Sequence, residues 1–166
     1  MPIETIQFKG ENYPALQSRG GASLYARPFA LEFCKGLGLD IGYGKQEWKF
    51  PGAIGVDLVD DNGFDAYNLP KGEYDYIHSS HLLEHLPDWV GALDHWSSRL
   101  KSGGVMFLYL PHYAQIYWRN WNNRKHMSNL SAEMIVDYLK DRGYINIFST
   151  TGHDLNHSFT IIAEKQ

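Results

Sequence analysis

A chain of 166 residues with 43% hydrophobic and 14% aromatic side chains can bury a proper core, which excludes general disorder. Its length suits one domain, and a formal net charge of −4 excludes the broad basic face that nucleic-acid binding needs. One cysteine, Cys34, excludes an intrachain disulfide and a CxxC-type zinc site, and makes a reducing, cytoplasmic setting the default.

The opening MPIETIQFKG lacks a basic region followed by an apolar stretch, so no signal peptide is expected. The longest apolar run, near VMFLYL, is too short to cross a bilayer, so no membrane partner is expected. Residues 1–26 read only as an N-terminal arm, with a turn at 18–23. Pro28 suits a first helical position; Phe29, Ala30, Phe33 and Cys34 then share a side, and Gly36 can end the helix. GLGLDIG is a short apolar strand ending at Asp40, Ile41 and Gly42. AIGVDLV (53–59) is a second, ending near Asp57. A weak third strand ends near Asp65, where Asn68, Leu69 and Pro70 turn the chain, and YDYIHSS (74–80) is a fourth.

Asp88 caps a clear helix in which Trp89, Ala92, Leu93, Trp96 and Leu100 recur at three- and four-residue steps, with Gly103 and Gly104 as its stop. VMFLYLP (105–111) is an unbroken apolar strand, of the kind buried on both faces. Ser131 opens a second helix, with Ile135, Tyr138 and Leu139 inward and Gly143 at its end. INIFST and SFTIIAE follow as a strand pair. This alternation predicts a parallel sheet covered on both faces, with an antiparallel addition at one edge. Ligands of such sheets sit at the carboxyl ends of the strands, so Asp40, Asp57, Asp65 and HSSH (78–81) should meet in space.

The turn Gly42-Tyr43-Gly44 suggests a backbone that a ligand approaches closely. A P-loop would need glycine at 39 and Ser or Thr at 46, where the chain has Leu39 and Gln46. A dinucleotide fingerprint would need a third glycine at 47, where Glu47 stands. The stretches LDIGYG (39–44), GVDL (55–58), DAYNLP (65–70), YDYIHSSHLLEHLPD (74–88) and RLKSGGVMFLYLPH (99–112) instead resemble the class I S-adenosylmethionine-dependent methyltransferases, of the methyltransferase type 11 kind, in the same order.

That resemblance implies a single domain over 1–166: a Rossmann-like, doubly wound, mostly parallel seven-stranded sheet with an antiparallel last strand, in three αβα layers. It implies S-adenosylmethionine as cofactor, with Asp40, Gly42, Tyr43 and Gly44 around its methionine part and Asp57 on the ribose hydroxyls. Asp65 or Ala66 would meet the adenine, Leu58 would pack on it, and Ser79 and Ser80 would line the reactive end. Carboxylates in the pocket suit a sulfonium and an ammonium group. The implied activity is methyl transfer to a small-molecule acceptor by a monomer or homodimer. Tyr43 and Gln46 depart from the family's small residues. Only eleven positions separate Gly42 from Ala53, so the first crossover helix must be about one turn, near KQEWKF. These departures motivate a second reading, a binding protein that kept the fold without turnover.

His81, Glu84 and His85 form H-x-x-E-H, the zinc signature of one peptidase class. A third ligand has no recognisable motif, with Glu133 and Glu164 the only nominees, so no metal site is expected. Glu84 and His85 read as capping or hydrogen-bonding groups, or else His81 or His85 reaches the acceptor as a base. Residues 111–130 read as a lid over the acceptor, or as a packed flap or dimer contact. The substrate-binding candidates on it are Tyr113, Trp118, Trp121 and Arg124. His112 is a further catalytic candidate, and Arg19 and Tyr25 are candidates to close over the cofactor. His153, Asp154 and His157 read as solvated loop residues, and Cys34 as core.

Overall fold

The computed structural model describes residues 3–166. A hairpin comes first, β1 (Thr5–Phe8) with β2 (Glu11–Pro14), then one helical turn, α1 (Ala15–Ser18), and α2 (Ala22–Phe33). The main sheet holds β3 (Gly38–Ile41), β4 (Ile54–Val56), β5 (Tyr74–Ser80), β6 (Leu100–Pro111), β7 (Tyr144–Ser149) and β8 (Ser158–Lys165). Their order is β4-β3-β5-β6-β8-β7. The first four are parallel, while the last strand, β8, runs antiparallel between β6 and β7. Helices α3 (Trp89–Arg99) and α4 (Ala132–Asp141) bury Ala92, Leu93, Trp96, Ile135, Tyr138 and Leu139 on one face of the sheet. On the other face α2 buries Ala22, Ala26 and Ala30 against Tyr76, Phe107 and Ile162. Three layers result, as the alternation predicts.

Among the described residues the sheet has six strands, not seven. The segment near Asp65 is a turn: Asp65 and Asn68 exchange backbone hydrogen bonds, and the Asp65 carboxylate accepts from Tyr67 N at 2.7 Å. A side chain that bonds its own backbone two residues on competes with strand pairing. The first crossover is the short one expected, a single 3-10 turn at Gln46–Trp48.

The α2 expectation needs correction. The helix begins at Ala22, so Pro28 lies in its interior and not at its start. Its inner face carries alanines and Cys34, whereas Phe29 and Phe33 are exposed. Small side chains let this helix lie close on the sheet, and the bulky aromatics are turned outward. Helices α3 and α4 behave as read: Asp88 caps Gly91 N at 2.9 Å and Ser131 caps Met134 N at 3.3 Å. The strand after α3 starts at Leu100, earlier than expected, so Gly103 (φ +76°) falls inside β6. The chain reverses its winding between β3 and β5, which are direct neighbours. That switch point is where a doubly wound sheet opens a crevice.

Candidate active site

Two cavities adjoin along the carboxyl rim of the sheet. The smaller, about 210 Å³, is lined by Asp57, Leu58, Asp65, Ala66, Tyr67, Leu82 and Leu86. The larger, about 470 Å³, is walled by the turn Gly42-Tyr43-Gly44, by Ser80, His81, Glu84 and His85, and by Tyr117 and Trp118 of the 111–130 segment. Gln17, Ser18 and Arg19 of the N-terminal arm close it from the side.

The turn after β3 has its shape for two reasons. Gly42 (φ +80°) and Gly44 (φ +75°) occupy left-handed backbone that other residues adopt only with strain. At Gly42 a Cβ would lie 2.6 Å from Leu82 Cδ2 and 2.7 Å from Leu82 Cβ, so the turn approaches the segment after β5 more closely than any side chain allows. Asp57 then ties the two cavities together. Its Oδ2 accepts from Gly44 N at 2.8 Å and its Oδ1 from Val59 N at 3.1 Å. The half-buried carboxylate thus sits between the glycine turn and an apolar recess made by Leu58, Ala66 and Leu82. Such a pair of surroundings suits a flat heteroaromatic base with a neighbouring diol.

Tyr43 does not obstruct the turn. Its ring lies against Gly55, where a Cβ would come within 2.5 Å of it, and its hydroxyl donates to Asp60 while accepting from Gln46 Nε2 at 2.8 Å. Both departures from small residues, Tyr43 and Gln46, therefore belong to one network that holds the loop.

Asp40 and Ser79 are brought to the rim but do not line either cavity. Asp40 is 1% exposed and accepts from Phe50 N at 2.6 Å, beside His78 Nδ1 at 2.7 Å. Ser79 donates to Ile41 O at 2.9 Å across the switch point. Asp40 therefore shapes the pocket from beneath, because the shortened crossover turns Phe50 N back onto it. The lid candidates divide. Trp118 lines the larger cavity, stacks on His126 at 4.8 Å and donates to Gln17 Oε1 at 2.8 Å. Tyr113, Trp121 and Arg124 lie on outer hollows, with Trp121 65% exposed under the Arg119 guanidinium. His112 is also outside: its backbone pairs with His157 O and its ring stacks on Tyr113. Arg19 lines the larger cavity, while Tyr25 faces a separate small hollow at the N-terminal arm.

Two features escape sequence reading. Gln17, 1% exposed, joins the N-terminal arm to the 111–130 segment and to β8 through Trp118, Ser158 Oγ (2.5 Å) and Asn156 O. Asp154 is no solvated loop residue, since it accepts from Ser158 N at 3.0 Å, Asn156 N at 2.8 Å and the Tyr109 hydroxyl at 2.7 Å. Neither residue sits in a periodic pattern, so no local signal marks it.

Glu84 corrects the capping reading. It is 1% exposed, its turn has no side-chain cap, and both carboxylate oxygens lack a hydrogen-bond partner among the described residues. Burial raises its acid to about 8. Around its Oε1 stand His81 Nδ1 at 3.8 Å, His85 Nε2 at 3.7 Å and His126 Nε2 at 4.0 Å. Burial lowers all three imidazoles, His126 to about 4. His126 comes from the 111–130 segment, which is fixed here by Met127 N and Ser128 N donating to Glu84 O.

Comparison with known proteins agrees with this architecture. A family model described as a methyltransferase domain matches residues 20–148. No curated protein sequence matches. Among solved structures, a S-adenosylmethionine-dependent methyltransferase from Archaeoglobus fulgidus superposes with a TM-score of 0.67 at 19% identity, covering 89% of this chain and 94% of that one. One from Thermotoga maritima gives 0.70 at 18% identity, covering 87% and 88%. The N-methyltransferase NodS from Bradyrhizobium japonicum, in complex with S-adenosyl-L-homocysteine, gives 0.63 at 13% identity, covering 91% and 88%. The chain belongs to the methyltransferase-domain family, and its fold is that of the class I S-adenosylmethionine-dependent methyltransferases.

Proposed function

We propose that this chain binds S-adenosylmethionine across the two adjoining cavities and transfers its methyl group to a small-molecule acceptor. The observation that carries the reading is the position of Asp57, between the glycine turn and the apolar recess. Its carboxylate is placed to accept from a ribose diol, with the adenine on Leu58, Ala66 and Leu82. The methionine part then follows the backbone of Gly42 and Gly44 into the larger cavity. The bound donor supplies a methyl already activated on a sulfonium, so the residues of this chain have mainly to align the acceptor. Alignment alone supplies on the order of 7–11 kcal/mol in favourable systems.

The acceptor would occupy the rest of the 470 Å³ cavity, under Trp118 and Tyr117 and beside His81. That volume fits a small molecule. Among the described residues no helix is long and apolar enough to cross a membrane. Calorimetric titration with S-adenosylhomocysteine tests the binding half, with saturation at micromolar ligand expected and absence of binding at millimolar ligand as the overturning result. Transfer of labelled methyl to a panel of hydroxyl, thiol and amine acceptors tests the second half. Binding without any transfer would favour the turnover-free reading.

A further inference from the structure

We propose that Glu84, His85 and His126 form a site for one zinc-class divalent cation, with an open coordination position that faces the larger cavity. One donor atom from each residue can be chosen so that all three lie within 4.8 Å of one another. Glu84 Oε1 stands 3.7 Å from His85 Nε2 and 4.0 Å from His126 Nε2. A tetrahedral zinc site with bonds near 2.1 Å has donor–donor edges of about 3.4 Å, so closing on a cation draws the two Glu84 edges in by about 0.3–0.6 Å and the edge between the imidazoles by at most about 1.4 Å.

Three independent features point at a ligand. First, Glu84 and His126 are 1% and 3% exposed, yet Glu84 Oε1, Glu84 Oε2 and His126 Nε2 have no hydrogen-bond partner among the described residues. Buried polar groups of this kind are costly unless something compensates them, and a cation would compensate all three at once. Second, both imidazoles are oriented by their surroundings. His85 Nδ1 donates to Lys125 O at 2.9 Å, which leaves the Nε2 lone pair turned to Glu84, the usual support for a metal-bound histidine. The His126 ring lies flat on Trp118, and the two histidine rings meet at 88°. Third, Glu84 and His85 line the larger cavity, so a fourth position opens into it.

Two imidazoles and one carboxylate suit zinc, cobalt or nickel better than magnesium or calcium. Three protein donors with an open fourth place is the arrangement of catalytic rather than structural zinc. That place would take water or the anionic oxygen or sulfur of an acceptor. The acceptor half of this statement rests on the methyl-transfer reading; the cation half does not. The site also joins the turn after β5 to the lid, since His126 comes from a segment held on Glu84 O.

The test is titration of the chelator-treated full chain with Co²⁺, read by its visible absorption, and with Zn²⁺ by calorimetry. One equivalent should bind with a dissociation constant of about 10 μM or tighter. Glu84→Gln and His126→Ala should each weaken binding at least about tenfold. His153→Ala, in the exposed histidine group of the final hairpin loop, should leave it unchanged. Circular dichroism melts establish that each variant folds, and either folded variant decides the matter. No binding up to about 1 mM metal, or wild-type affinity in a folded His126→Ala chain, overturns the proposal. S-adenosylhomocysteine titration of the metal-free chain is run in parallel, so loss of the cation site and loss of the donor site are told apart.

Discussion

Asp40 and His78 face each other as register partners on β3 and β5, and their side chains meet at 2.7 Å in the sheet interior. The same Asp40 carboxylate also accepts from Phe50 N, at the end of the shortened crossover. An acid just before a glycine turn can hold a ligand or hold the turn, and here its oxygens are taken by protein. Asp40→Ala would leave Phe50 N and the His78 ring without their buried partner, at about 3 kcal/mol. Urea unfolding should show that loss. An Asp40→Ala chain of wild-type stability that had lost ligand would place this carboxylate in the binding pocket instead.

Asp57 is the contrasting case. It is half-buried and opens on the smaller cavity, with only two backbone donors on its oxygens. Asp57→Ala should weaken S-adenosylhomocysteine by at least about tenfold, as loss of a charged acceptor on a diol does. Its unfolding free energy should fall by no more than about 1 kcal/mol. Calorimetry and urea unfolding on one preparation give both numbers. Wild-type affinity in this variant would remove the residue from the donor site.

Gly42 tests the close approach. Alanine there meets both the left-handed backbone strain and a contact of 2.6–2.7 Å with Leu82, whose Cβ is part of the clash and cannot swing away. Gly42→Ala should cost about 1–3 kcal/mol of stability and weaken the donor analogue as Leu82 is pushed into the smaller cavity. Gly63→Ala, at φ +80° with no neighbour within 4 Å of the built Cβ, isolates the strain component. Equal effects at the two positions would mean that crowding at Gly42 is immaterial.

Where sequence and structure agree, the reason is local. Asp88 and Ser131 bond backbone N–H groups three residues on, and the inward residues of α3 and α4 recur at helical steps, so a short window holds the whole signal. The five stretches from Leu39 to His112 likewise carry the rim of the sheet in order. Where they part, side-chain size or distant contact decides. Phe29 and Phe33 look like the core face of α2, but close packing on the sheet selects Ala22, Ala26 and Ala30. His126 meets Glu84 across 42 positions and Gln17 meets Trp118 across 101, through loops that have no period to read.

Asp94 carries a pH dependence of known sign. Its carboxyl is held below the usual range by the Tyr138 hydroxyl at 2.6 Å and by the Arg142 guanidinium at 3.1 Å. A depressed folded value means that the contribution is present above the unfolded value and is lost as pH falls through the folded one. The pair is largely exposed, so screening keeps it to about 1 kcal/mol or less. Asp94→Asn should be slightly less stable than wild type at neutral pH, and thermal melts of the two should converge below about pH 4. A gap that persists or widens in acid would contradict this.

Gln17 should hold the 111–130 segment in place from the side wall of the larger cavity. Its side chain accepts from Trp118 Nε1 and from the Tyr13 hydroxyl, and donates to Ser158 Oγ and Asn156 O, so one amide holds three segments together. Tyr13 adds a stack on Tyr117 at 4.1 Å. Gln17→Ala leaves several buried groups unpaired, the Trp118 indole N–H among them, and should cost about 2–3 kcal/mol. The fluorescence of Trp118 should shift toward that of exposed indole, with Trp118→Phe as the subtraction. Proteolytic cleavage within 112–131 should quicken, while the affinity for S-adenosylhomocysteine, set at the far end of the groove by Asp57, should move less than about threefold. If the 111–130 segment stays protected in Gln17→Ala, its position is fixed by the backbone bonds of Met127 and Ser128 to Glu84, and the N-terminal arm is only a bystander.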